Sequence, residues 1–177
     1  MLSYHGDEAV KAKYVGRIEA HHAADELAKG FYWQDGKGCA VGCTIHSSDH
    51  NAYEKELGLP EWLARLEDSI FEGLPNEAAK EFPVRFLKAI PVGVDLEPVR
   101  WKFSAFVLKE NIERVLLQKD LSDELKKQVV DAIRGCLTLH EQAIELGEFP
   151  AWSAARSAAW SAARSAARSA ARSAAWS

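Results

Sequence analysis

The sequence has few cysteines and no long apolar run. Three cysteines in 177 residues are an odd and small number, which argues against a disulfide framework. No uninterrupted apolar stretch reaches about 18 residues, so we expect no transmembrane helix. Residues 1–8 lack the basic start and apolar core of a secretory signal. These absences predict a cytoplasmic protein that does not span a membrane.

Positive charge is scarce outside the C-terminal end. The chain carries 22 basic and 26 acidic residues, a net charge of −4. Residues 151–177 hold four arginines and no acid, so residues 1–150 carry 18 basic and 26 acidic side chains, a net −8. Nucleic-acid affinity needs clustered Lys and Arg, so nucleic acid is not expected as a partner. The basic end could contact an acidic surface of another copy, or simply keep that segment in solution.

Helical periodicity dominates the rest of the sequence. Apolar residues recur with helical spacing along 1–150, whereas no convincing alternating β pattern occurs. Glycines and prolines divide this region into six or seven pieces of helical length. We therefore predict an all-α fold: a compact globular domain of six or seven helices at 1–150, followed by a tail at 151–177. The helices expected from the clearest patterns cover 7–29, 60–73 and 95–118.

Local signals refine this pattern. Pro75 is expected to open a short helix, and Pro83 to start or kink the next one. The apolar run at 40–45 is short enough for a buried strand, but it is isolated. In the helix at 95–118, the residues expected in the core are Val99, Phe103, Phe106, Val107 and Leu117.

The tail is a four-residue repeat. From residue 152 onward, Ser-Ala-Ala alternates with a variable Trp or Arg. Alanine is the best helix former, so we predict a helix of roughly 40 Å over 151–177. Each repeat drifts by about 40° around the helix, so the variable residues form a slow spiral. The functional interpretation is a homo-oligomer that assembles through 151–177, and the alternative is a low-complexity extension.

Cysteine and histidine cluster after the first loop. Cys39, Cys43, His46 and His50 fall on one face of an unbroken helix. Cys and His are zinc ligands when they converge tetrahedrally, but one straight helix brings together two or three ligands at most. Cys39, Cys43 and His46 are thus the candidate ligands of a zinc-dependent hydrolase. The alternative, which we favour, is that both cysteines are small buried residues of a packed helix.

Two imidazoles on the first helix lie four residues before an acid. His21 precedes Asp25, and His22 precedes Glu26. A carboxylate in that position can orient a ring nitrogen and raise the imidazole pKa, which suits a general base or a ligand site. The alternative is a pair of surface ion pairs. His21 shares the apolar face of the helix, so it is the inward member.

The loop before Cys39 resembles part of a nucleotide pocket. Two glycines and Lys37 lead into a helix N-terminus, where free N–H groups attract anions. Three aromatic residues just upstream could stack on a base, although an exposed turn beside core aromatics is an equal alternative. We predict no catalytic residue. The predicted ligand-binding residues are His21, His22, Tyr32, Trp33, Lys37, Gly38, Cys39 and His46.

Three runs, at 38–47, 64–74 and 86–93, resemble an uncharacterised family of bacterial and phage proteins. The likeness extends from the N-terminal helix to the Ser-Ala-Ala repeats, and it implies no activity, cofactor or site residue. By analogy with other phage proteins, we expect a small oligomeric protein that sequesters a nucleotide-derived immune signal. The leading expectation is therefore a binding protein rather than an enzyme. The alternatives are the Cys/His hydrolase and a structural adaptor that assembles through its tail.

Overall fold

The protein is all-α in the part that the structure describes. A computed structural model describes residues 1–149, so the predicted tail at 151–177 lies outside it. A short 3-10 helix at Ser3–Gly6 precedes the first α-helix, and strands β1 (Trp33–Gln34) and β2 (Lys37–Gly38) form a small antiparallel hairpin. The helices are α1 (Glu8–Ala23), α2 (Ala40–Ile45), α3 (Ala52–Leu57), α4 (Glu61–Gly73), α5 (Asn76–Ala89), α6 (Glu97–Leu117) and α7 (Asp123–Leu146).

These helices fall into two compact units. The first unit is Met1–Glu97, and the second begins at Pro98 and contains most of α6 and all of α7. The sequence predicted one domain over 1–150, because helical periodicity continues on both sides of this boundary and nothing in the pattern marks it. Among residues 1–149, no helix has the length and apolarity needed to cross a membrane.

Helix α2 lies at the centre of the first unit. All six of its residues are buried, and it contacts α1, α3, α4 and β2. Its continuous apolar sequence, which also suited a buried strand, thus belongs to a short helix that is covered on all sides. The large buried side chains around it come from several elements: Ile18, Tyr53, Leu57, Leu59, Phe71 and Leu87.

Two glycines allow the loop after α1 to lie directly on α2. A Cβ atom at Gly38 would lie 2.0 Å from the Tyr32 carbonyl oxygen, and one at Gly42 would lie 1.7 Å from the same atom. Any side chain at either position would therefore overlap the backbone of Tyr32. This close approach fixes Tyr32 and Trp33 against the helix that carries the two cysteines.

Several predicted elements differ from the observed ones. Helix α1 ends at Ala23 rather than at residue 29, and Pro83 lies inside the single helix α5 instead of starting or kinking a new one. In α6, Val99, Phe106 and Leu117 are 41%, 58% and 78% exposed, so these three predicted core positions are wrong. Phe103 and Val107 are half-buried. Helical periodicity identifies an apolar face, but it does not tell whether another element covers that face.

Candidate functional site

The hairpin after α1 ends in a tight turn and returns its backbone to α2. Asp35 and Gly36 both have positive φ, 51° and 82°, as a two-residue hairpin turn requires. The Gly38 N–H donates to the Glu26 carbonyl at 3.2 Å. The Cys39 N–H lies 3.1 Å from the carbonyls of both Phe31 and Tyr32. The expectation of free amides at this helix start is therefore wrong, because a buried backbone segment must satisfy its own donors.

Three aromatic rings meet beside this hairpin, and we call His21, Trp33 and His46 the His–Trp cluster. The Trp33 and His46 rings are stacked, with centroids 4.7 Å apart and an interplanar angle of 12°. The His21 ring meets both edge-on, at 5.5 Å from Trp33 and 4.9 Å from His46. His21 is buried, Trp33 half-buried and His46 exposed. The cluster is therefore buried at His21 and accessible to solvent at His46.

Hydrogen bonds connect the cluster to a carboxylate. Glu26 Oε2 lies 2.6 Å from His21 Nδ1, and His21 Nε2 lies 2.7 Å from His46 Nε2. A carboxylate only accepts, so His21 Nδ1 carries a proton. In the neutral pair, His21 Nε2 is then the acceptor and His46 Nε2 the donor. His46 Nδ1 is left as an acceptor, and within residues 1–149 no hydrogen bond reaches it.

Local charge and backbone geometry both act on His46. Partial burial lowers its pKa, and the nearby positive charge of Arg17 and the His21 ring lower it further, against the raising effect of Glu56 and Glu26. The residue caps the C-terminal end of α2 in the left-handed region, with φ 53°. Such backbone conformations are uncommon for residues other than glycine and concentrate at functional sites. His46 is thus neutral at neutral pH and directed out of the helix.

A second group of side chains lies next to the Tyr32 ring, and we call it the Cys–His–Asp cluster. One ligand atom each from Cys39, His50 and Asp68 lies within 4.8 Å of the other two. His50 Nε2 and Asp68 Oδ1 are buried and have no hydrogen-bond partner among the described residues. The Tyr32 ring meets the His50 ring edge-on, with centroids 4.5 Å apart. The group therefore joins the start of α2, the loop before α3 and the middle of α4.

The thiols of α2 are not activated nucleophiles. Burial raises the pKa of Cys39 well above its usual value, and the neighbouring Asp68 carboxylate raises it further. Burial likewise raises the pKa of Cys43 to about 12. Reactive cysteines instead have a lowered pKa and partial exposure. Both cysteines are protonated in this environment, and Cys39 is only 1% exposed.

The structure does not assemble the predicted zinc ligands Cys39, Cys43 and His46. The Cys43 thiol is directed to the carbonyls of Glu26 and Gly38, at 3.7 and 3.4 Å. The helix ends at Ile45, so His46 leaves the face that an unbroken helix would have given it. The one group of three metal-ligand types found close together in residues 1–149 is the Cys–His–Asp cluster.

The predicted carboxylate partners of the histidines are also different. His21 is bonded to Glu26, five residues later, because α1 ends before that residue and the chain turns back. Asp25 lies 2.6 Å from the Lys80 amine instead. His22 is exposed. Lys37 is exposed on β2, and its charge helps to lower the pKa of Asp25. Neither His22 nor Lys37 takes part in the two clusters.

Sequence reasoning missed two acids on α4. Glu67 is fully buried and accepts a hydrogen bond from Tyr53, and Asp68 belongs to the Cys–His–Asp cluster. Burial raises the pKa of Glu67 to about 8. Both acids lie four residues after an apolar residue, Glu67 after Leu63 and Asp68 after Ala64. Residues four apart share a helix face, so this spacing was the sequence signal for their inward position.

A pocket in the first unit is lined by none of the residues of the two clusters. It has a volume of about 340 Å³ and contains no His or Cys. Its lining residues are Leu27, Ala28, Lys29, Phe71, Asn76, Glu77, Ala79 and Lys80.

No protein-family model, curated protein or solved structure matches the chain. We therefore base the function on the geometry of the two clusters.

Proposed function

We propose that residues 1–97 bind a small anionic, nucleotide-like molecule at the His–Trp cluster. The observation that carries this proposal is the exposed His46 ring stacked on Trp33. Tyr32, the preceding residue, is 53% exposed, and its ring meets that of His50. Solvent-exposed aromatic faces suit a nucleobase, and stacking on one contributes about 1–3 kcal/mol. His46 Nδ1 adds a hydrogen-bond acceptor on the exposed side of the His–Trp cluster.

Side chains supply the positive charge for the ligand, since the Gly38 and Cys39 amides are engaged. Arg17 is close enough to His46 to lower its pKa. One of its N–H groups donates to the Thr44 carbonyl at 2.9 Å, and its guanidinium carbon lies 5.1 Å from the centroid of the Tyr14 ring. Arginine has five N–H donors, so others remain for a ligand. Lys37 is exposed and stays a predicted phosphate contact. An anion near Arg17 would also favour protonation of His46, and the protonated ring would then be a second positive charge for the anion.

The ligand class follows from this combination of aromatic faces, one arginine and a titratable imidazole. A nucleoside phosphate satisfies all three, and a cyclic nucleotide signal does so with a smaller charge. Sequestration of such a signal is the role expected by analogy with other phage proteins, and this role rests on the binding proposed here. The first panel of ligands should therefore contain mononucleotides, cyclic mononucleotides and cyclic dinucleotides.

Calorimetric titration of the full chain tests this proposal. We expect saturable heat with at least one member of the panel and a loss of about 10-fold or more in affinity for Trp33→Leu and Tyr32→Ala, the range given by loss of one stacking contact. Phe106→Ala is the matched control, because Phe106 is 58% exposed in the other unit. Absence of heat with every ligand, or equal losses in Tyr32→Ala and Phe106→Ala, would contradict the proposal.

A hydrolase is the second candidate function, and the Glu26–His21–His46 chain of hydrogen bonds favours it. This chain holds the His21 tautomer and leaves His46 Nδ1 as a general base. His46 would take a proton from water, the hydroxide would attack the ligand's phosphorus, and the proton would return to the leaving oxygen. Product release from any bound nucleotide, abolished in His46→Ala but not in Phe106→Ala, identifies the enzyme. Binding without turnover identifies the sequestering protein.

Assembly through residues 151–177 is a separate proposal. The basic composition of that segment and the net charge of −8 on residues 1–150 favour contact between copies. The second unit also presents exposed apolar side chains on α6, among them Leu116 at 52% and Leu117 at 78%. Exposed apolar surface of this kind is typical of protein contact sites.

A further inference from the structure

We infer that Cys39, His50 and Asp68 form a binding site for a divalent transition metal of the zinc type. The three ligand atoms lie within 4.8 Å of one another. Zinc binds sulfur at about 2.3 Å and nitrogen or oxygen at about 2.0–2.2 Å, so its ligand atoms lie about 3–4 Å apart in a tetrahedral site. Small side-chain movements therefore bring the three atoms to coordinating distance.

The chemistry of the ligand set selects the metal. A thiolate, an imidazole and a carboxylate together suit a borderline ion such as zinc, whereas magnesium and calcium require oxygen ligands. Three protein ligands leave a fourth position for water. Binding replaces the thiol proton of Cys39 by the metal and releases that proton to solvent.

Unsatisfied atoms give the independent support. His50 Nε2 and Asp68 Oδ1 are buried, yet neither has a hydrogen-bond partner within residues 1–149. A buried polar atom without a partner destabilises the folded state, so two of them beside one thiol need a physical reason. Coordination of one ion would satisfy both side chains at once.

The surrounding structure holds each ligand in place. Cys39 caps α2, and its sulfur accepts the Gly42 N–H at 3.4 Å, a contact that also stabilises a thiolate. The Tyr32 ring packs against His50. Asp68 is fixed on α4, next to the buried Glu67. These supports restrict the three side chains before any ion arrives, which is how outer contacts strengthen metal sites.

A cysteine nucleophile assisted by His50 and Asp68 is the competing interpretation of the same residues. It requires a thiol that a substrate can reach. Cys39 is 1% exposed and lies under the Tyr32 backbone, to which its own amide is bonded. An ion of small radius reaches such a position more easily than an acyl group does, so the burial favours the metal.

Cobalt(II) titration of the chelator-treated full chain tests the site without any nucleotide. We expect one equivalent of Co²⁺ to give a sulfur-to-cobalt charge-transfer band, which Zn²⁺ removes by competition. Cys39→Ser should abolish the band. Cys43→Ser is the matched control, because Cys43 is equally buried on the same helix but bonded to backbone carbonyls, and it should keep the band.

Two further variants keep the test decisive if Cys39→Ser fails to fold. His50→Ala changes a half-buried loop residue, and Asp68→Asn keeps the shape of the side chain; each should weaken Co²⁺ binding by about 100-fold or more. Circular dichroism verifies that each variant is folded. A folded wild-type chain without the band, or a band lost in Cys43→Ser and kept in His50→Ala, would overturn the site. Alkylation of Cys39 in the folded chain faster than that of Cys43 would favour the nucleophile instead.

Discussion

His21 and His46 meet nitrogen to nitrogen, with 2.7 Å between their Nε2 atoms, and so share one proton. At the proposed ligand site, this contact would couple binding to pH. The groups that face His46 are Arg17 and His21 from α1, Glu56 from α3 and Glu26 from the loop, and the net effect with burial is a lowered pKa. The ring is neutral until the pH falls below its usual value of 6.5.

We predict that anionic ligands bind more tightly as the pH falls from 8 toward 5.5, because an anion favours the protonated form of His46. Affinity measured by calorimetry across this range should rise by about 10-fold or less, and His46→Asn should remove the trend. In the absence of ligand, a lower pH has an unfavourable effect on the stability of the folded protein. The folded state disfavours the charged ring, so the free energy of unfolding should decrease as the pH falls below 6.5. A flat affinity profile in the wild-type chain would contradict the coupling.

The contact of Tyr32 with α2 predicts a strong response to a single methyl group. Gly42→Ala places a Cβ atom 1.7 Å from the Tyr32 carbonyl oxygen, so we expect a loss of about 3 kcal/mol or more in the free energy of unfolding. The Trp33 fluorescence should also change, since the loop must move. Denaturant unfolding of the full chain measures the difference.

Gly16→Ala is the matched control for this substitution. Gly16 lies inside α1, and a Cβ atom there meets nothing within 4 Å. Alanine should therefore stabilise the protein by about 0.5–1 kcal/mol, the usual helix preference over glycine. If both variants lose the same stability, the close approach at Gly42 does not determine the loop position.

Sequence patterns predicted the helices better than the site. The inward position of His21 followed from its spacing with Tyr14 and Ile18, and all three are buried. The Glu26 partner of His21 did not follow, because it depends on where α1 ends and how the chain turns back. Helical spacing describes neighbours on one element, while a site depends on contacts between elements.

The Cys–His–Asp cluster shows the same limit. Cys39 and His50 were visible as potential ligands on a supposed continuous helix. The αL cap at His46 breaks that helix, and the third member, Asp68, comes from α4. No spacing rule links residue 39 to residue 68, because their proximity depends on the packing of α2 against α4. Only the tertiary structure brings these three residue types together.

Residues 151–177 are predicted to set the oligomeric state. The full chain should form a homo-oligomer, and removal of 151–177 should lower its mass in solution, as measured by light scattering after gel filtration. Exchanging Arg156, Arg164, Arg168 and Arg172 for Gln removes the positive charge of the segment while retaining good helix formers. Loss of assembly in this variant would show that the contact between copies depends on the positive charge of the four arginines. An unchanged mass after truncation would remove the segment from assembly.

The buried acid Glu67 predicts a pH-dependent stability. Its pKa is about 8 in the folded protein and 4.5 in the unfolded chain, because burial disfavours the charge, with a further raising effect of Asp68 and an opposing hydrogen bond from Tyr53. Between these two values the folded state binds the proton that the unfolded state has lost. The free energy of unfolding therefore decreases as the pH rises through this window.

Glu67→Gln should abolish that loss, because the amide has no proton to lose and its oxygen still accepts from Tyr53. Relative to wild type, the variant should gain roughly 4 kcal/mol between pH 4.5 and 8, measured by urea unfolding in the presence of a chelator. Glu61→Gln, on the exposed side of the same helix, should change stability by less than about 1 kcal/mol at every pH. A constant difference between Glu67→Gln and wild type across this range would show that Glu67 is ionised in the folded protein, and its burial would then need another compensating charge.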